Sequence, residues 1–79
     1  MTRQEIFAKI EAIAKKIFGS GTIITEDTAS TDIEKWDSMN HVVLISTIEK
    51  EFNVSFDIME IIGIAKFSDF IDLVEKKQN

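Results

Sequence analysis

Apolar residues return along the first quarter of the chain at helical intervals. Ile6, Ile10, Ile13 and Ile17 stand four, three and four positions apart, and Phe7, Ala14 and Phe18 widen the stripe. That period predicts an amphipathic helix over residues 3–18. Thr2 with Glu5 three positions later has capping-box spacing, and Gly19-Ser20-Gly21 is a stop. The pattern then lapses. Residues 19–36 are rich in Ser, Thr, Gly and Asp and show little periodicity, so they predict a long ordered loop. Loops of that length in small domains tend to carry function. Ile23, Ile24 and Ile33 are expected to pin this one to the core, and Thr31-Asp32-Ile33-Glu34 has the spacing of a further capped turn.

Helical periodicity resumes at Ser38. Met39, Val42, Ile45 and Ile48 form one face, Leu44 and Phe52 extend it, and Asn53 is a stop, which predicts a second helix over residues 38–52. Residues 56–63 predict a short third helix ended by Gly63. Phe67, Phe70, Ile71 and Val74 mark a final helix that closes in Lys76-Lys77, cations favourable at a helix C-terminus. No repeat, linker or low-complexity run interrupts the chain. The expected fold is all-α: a four-helix bundle of three main helices and one short one, with a long first loop, in a single domain over residues 1–79.

Composition narrows the function classes. The chain has 79 residues, of which 44% are hydrophobic, with no proline and three glycines. That is enough apolar material for a modest core and favours helices over a turn-rich β fold. There is no cysteine, so disulfides and thiolate metal sites are excluded. A formal charge of −5 repels phosphate backbones and attracts basic protein surfaces, which weighs against nucleic-acid partners. No stretch approaches transmembrane length and the N-terminus lacks an apolar signal core, so a cytoplasmic monomer without membrane insertion is expected.

The segment with chemical content is Trp36-Asp37-Ser38-Met39, where the loop meets the second helix. A serine there has two readings: an N-cap, or a modified hydroxyl. A phosphodiester at that point would sit beside free backbone N–H groups and the positive end of the helix dipole. By position alone capping is the commoner role. His41 lies three residues on and could share a helix face with Ser38. A Ser–His–Asp hydrolase with Asp37 would need an oxyanion hole and a substrate pocket; the first has no signature here, and the chain is too short for the second. His41 therefore reads as an exposed helix residue near the junction. Glu26, Asp27, Asp32 and Glu34 lack the spacing of a calcium loop and read as solvated acids, so no metal site is expected. Glu49-Lys50-Glu51 reads as a solvated helix end.

Asp37-Ser38-Met39, followed by Val42, Leu44, Ile45, Ile48 and Glu49-Lys50-Glu51-Phe52, resembles the acyl carrier protein family. Its pattern is Asp-Ser-Leu, then apolar residues at fixed steps, then an acidic run ending in Phe, and the likeness spans the chain. The resemblance implies that Ser38 accepts 4'-phosphopantetheine from coenzyme A and that Asp37 helps a phosphopantetheinyl transferase recognise the site. It implies that Met39 docks partners, and that Val42, Leu44, Ile45 and Ile48 are core positions which also line an acyl cavity. The chain would then be a non-catalytic carrier of a thioester, serving acyl-activating, acyltransferase or synthase enzymes of fatty-acid or polyketide-like pathways. An aminoacyl or peptidyl cargo on the same arm, or an unmodified helical interaction domain, are the alternatives.

Several positions depart from the fatty-acid type. Trp36 stands where a small residue is common, and Asn40 and His41 where an acid often sits. Val43 replaces a frequent Glu, and Phe56-Asp57-Ile58-Met59-Glu60 is more apolar than usual. These changes remove charge from the face that would meet basic partners. They suggest a stand-alone carrier of a specialised pathway, with Met39, Val43 and Trp36 as the expected partner-binding residues.

Overall fold

Residues 1–78 are described by a computed structural model of the chain. The first helix, α1 (Arg3–Phe18), starts as its spacing predicts. The Thr2 hydroxyl accepts the Glu5 N–H at 3.1 Å, and the Glu5 carboxylate accepts the Thr2 N–H at 2.8 Å. The helix buries Ile6, Ile10, Ile13, Ala14 and Phe18. It ends at Gly19, whose φ of 115° is a backbone region that L side chains rarely adopt. After a 3₁₀ turn at Ser30–Asp32 come α2 (Ser38–Phe52), α3 (Ile58–Ile62) and α4 (Phe67–Gln78). Asn53 closes α2 in the left-handed conformation, φ 54° and ψ 50°. The fold is all-α, as expected, and among the described residues the only β-type pairing is an isolated bridge between Ala29 and Lys66.

That bridge is part of how the long loop is fastened. The carbonyls of Thr28 and Glu26 accept the N–H groups of Phe67 and Ser68 at 3.1 and 2.9 Å, so the loop caps the start of α4 with its own backbone. Ser30 N–H donates to the Ala65 carbonyl at 3.1 Å. Ile24 and Ile33 are buried beneath the loop as expected, but Ile23 is not: it is 85% exposed. Backbone hydrogen bonds to α4 and its neighbour Ile24 do the pinning instead. The capped turn also differs from its expected register. Asp32, rather than Glu34, reaches back, and its carboxylate accepts the Ala29 N–H at 2.9 Å.

On α2 the buried residues are Leu44, Ile45, Ile48 and Phe52. Met39 and Val42, expected on the core face, are 76% and 62% exposed. At about 100° per residue, the direction shared by the four buried side chains passes through His41 and leaves Met39 nearly opposite. The inward stripe is therefore 41, 44, 45, 48 and 52, with a half-buried histidine at its head.

Beneath that stripe the core is aromatic. The Trp36 ring centroid lies 4.9 Å from Phe67, 5.8 Å from Phe18 and 6.2 Å from Phe70, separations at which aromatic rings attract. Polar ties bind the elements from outside. The Arg3 guanidinium pairs with Glu26, Asp72 and Glu75, joining α1, the loop and α4. Lys77 meets Glu60 at 2.8 Å and joins α4 to α3.

Candidate functional site at the start of α2

Asp37 is the N-cap of α2. Its carboxylate accepts the Asn40 N–H at 2.8 Å, and its carbonyl accepts the His41 N–H at 2.9 Å. Asn40 in turn donates from its side-chain amide to the Lys35 carbonyl at 2.7 Å, which locks the chain's entry into the helix. The capping role open to either Asp37 or Ser38 thus belongs to Asp37. Ser38 is the first helical residue; it is exposed, and its hydroxyl takes no part in the hydrogen bonds that build the junction. The N–H groups of Ser38 and Met39 precede the first residues that find acceptors, so they face outward as donors. An exposed hydroxyl beside two free donors at the positive end of a helix dipole fits a phosphodiester link.

Ser38 opens onto a shallow groove of about 420 Å³, lined by Ser30, Trp36, Asp37, Ser38, His41, Val42 and Ile64. Two of these differ from expectation. Trp36, expected on the partner face, is only 7% exposed; its ring belongs to the core because Phe18, Phe67 and Phe70 surround it. His41, expected to be exposed, is half-buried, and its Nδ1 accepts the Trp36 indole N–H at 2.9 Å. That bond also removes any hydrolase geometry. An imidazole that accepts at Nδ1 carries its proton at Nε2 and cannot take one from Ser38, while Asp37 is engaged with the helix cap.

The outer side of α2 near Ser38 is apolar. Met39 is 76%, Val42 62% and Val43 43% exposed. No acidic residue lies on α2 before Glu49. Ile58, Met59 and Ile62 of α3 are exposed as well. Periodicity alone counts such residues as core, so it did not single out Val42 or the α3 set as surface. Asp57, which caps α3 by accepting the Glu60 N–H at 2.9 Å, could have been found from its spacing to Glu60. Glu60 carries a carboxyl held below the usual range, first by its hydrogen bond with Lys77 and then by the Asp57 backbone N–H.

Among the described residues no group of three His, Asp or Glu side chains could hold a metal ion, and no helix is long and apolar enough to cross a membrane. The groove at Ser38 is open to solvent, and Trp36 packs against Phe18, Phe67 and Phe70 between the helices. Leu44, Ile45 and Ile48 stand in that packed core, and Val42 does not.

No family model matches the chain. A curated relative does: the acyl carrier protein of Thermotoga maritima is 31% identical over 77 residues, which cover 96% of this chain and 95% of that protein.

Proposed function

The chain belongs to the acyl carrier protein family, and from that premise we propose that it holds an acyl group as a thioester on 4'-phosphopantetheine attached to Ser38. The observation that carries this reading is the division of labour at the junction: Asp37 caps α2, which leaves the Ser38 hydroxyl exposed and uncommitted. The arm would supply the thiol that a chain without cysteine lacks.

In loading, the Ser38 oxygen attacks the phosphate of coenzyme A next to the pantetheine. A phosphodiester bond forms, the phosphoanhydride bond breaks, and 3',5'-ADP leaves while the hydroxyl proton is lost. A phosphopantetheinyl transferase with magnesium performs this step, and Asp37 presents the serine to it. The chain then performs no chemistry of its own. Its partners are acyl-activating, acyltransferase or synthase enzymes, which approach over Met39, Val42 and Val43.

That approach face is apolar where carriers with acidic second helices are charged. It supports service in a specialised pathway rather than in housekeeping fatty-acid synthesis. Intact mass before and after incubation with coenzyme A and a broad-specificity transferase tests the proposal. We expect a gain of one phosphopantetheine, localised to Ser38 by fragmentation, and none in Ser38→Ala. No gain in folded protein, with a known carrier modified in parallel, or a gain in the alanine variant, would refute it.

A further inference from the structure

We propose that Trp36 and His41 form a fixed hydrogen-bond donor for the phosphodiester on Ser38, with His41 contacting the phosphate and Trp36 setting its tautomer. The inference rests on attachment at Ser38. Three observations lead to it.

The first is the direction of the buried bond. An indole N–H can only donate, so the His41 Nδ1 at 2.9 Å must be an acceptor. A neutral imidazole that accepts at Nδ1 carries its hydrogen at Nε2. The tautomer is thus set from within the core.

The second is the state of Nε2. No side chain accepts from it, yet no buried side-chain nitrogen or oxygen among the described residues lacks a partner. Nε2 therefore reaches solvent, although His41 is half-buried. The imidazole centroid lies 6.0 Å from Trp36, its hydrogen-bond partner, and 6.2 Å from Phe70, so its orientation is held from two sides.

The third is place. His41 and Ser38 line the same groove and stand three residues apart on one helix, where side chains are neighbours. The solvent-reaching donor and the attachment oxygen share one small surface. The only carboxylate lining that groove, Asp37, is turned to the Asn40 N–H. A phosphate on Ser38 would add a second negative charge beside Asp37, and of the groove's side chains only His41 and the Ser30 hydroxyl could donate to it. A histidine on the inward stripe of a helix, where an apolar residue would pack with fewer demands, is explained by this role.

The test uses the full chain, loaded with phosphopantetheine and checked for loading by intact mass. Long-range proton–nitrogen NMR reads the His41 tautomer, and phosphorus NMR reads the phosphodiester. Above neutral pH we expect His41 to carry its hydrogen at Nε2. In His41→Ala the phosphorus resonance should move most of the way to its position in urea-unfolded holo-protein. His41→Gln, which can still donate from the end of its side chain, should stay near the parent value. Trp36→Phe keeps an aromatic ring but not the donor; it should populate both His41 tautomers and shift the phosphorus resonance part of the way. Circular dichroism confirms that each variant is folded. An unchanged phosphorus resonance in loaded His41→Ala, or an Nδ1–H tautomer in the parent, overturns the inference and leaves attachment at Ser38 standing. Parent protein that takes up no arm overturns both.

Discussion

Helices α1 and α2 are nearly equal in length, 16 and 15 residues, and each packs one stripe into the same core. Their outer faces differ. Along α1 the exposed positions are Gln4, Glu5, Ala8, Lys9, Ala12 and Lys16, small or charged throughout. Along the first half of α2 they are Met39, Val42, Val43, Ser46 and Thr47, with charge returning only at Lys50 and Glu51. Water and one ion pair, Lys9 with Glu51 at 3.8 Å, account for the first face. Three neighbouring exposed apolar side chains next to an exposed, uncommitted hydroxyl point to a surface that other molecules cover. The lesson is that two helices of like length, each burying one stripe, can serve two ends, and the side turned away from the core tells them apart.

Substitutions on the inner stripes should treat both helices alike and have the largest effect. Ile10→Ala and Ile48→Ala each remove a fully buried side chain and should cost about 2–5 kcal/mol, read as a lower denaturant midpoint. Near-neutral behaviour in one helix alone would break the symmetry of the inner faces. Next comes Arg3→Ala, which releases α1 from the loop and α4 at once. Its three partners are partly exposed, so we expect a loss of about 1 kcal/mol, shrinking in high salt.

Acid should act through the caps and ties. Glu60 is held below its ordinary range first by Lys77, and Glu5 first by the Thr2 backbone N–H. A depressed folded pKa gives stability that is present above the unfolded value and is lost as pH falls through the folded one. The thermal midpoint should therefore be flat above about pH 6 and fall below about pH 4. Glu60→Gln should flatten part of that fall; an unchanged acid limb would remove the α3–α4 tie from the explanation.

The outer faces should give the smallest changes in stability and the clearest contrast in use. Met39→Ser, Val43→Ser and, on α1, Lys9→Ser should each shift stability by less than about 0.5 kcal/mol. Only the two α2 variants should slow loading by the transferase, measured as initial rates of mass gain. Equal rates for all three would leave the apolar face without a partner role.

Much of this architecture is legible in the residues. The bounds of α1 and α2, the Thr2–Glu5 cap, the Asn53 stop and the Gly63 end of α3 all follow from local spacing, because local hydrogen bonds and helical period decide them. The junction sequence marks the start of α2 as well. The errors share one cause. Val42 and Ile23 are apolar yet exposed, while Trp36 and His41 carry polar atoms yet turn inward. Which side of α2 meets the core depends on Phe18, Phe67 and Phe70, distant in sequence. Once Trp36 sits among them, His41 becomes the head of the inward stripe, a register that counting apolar residues alone passes over. The backbone bonds from Thr28 and Glu26 to α4 likewise leave no local trace.

The chain has one tryptophan and no tyrosine. Because that indole lies in the core under the junction and bonds to His41, the molecule carries its own optical gauge. Ultraviolet emission excited at the red edge comes from a single ring, beneath the start of α2. Its colour reports whether the start of α2 is seated. Loading, partner capture and release can then be followed in real time on unlabelled protein.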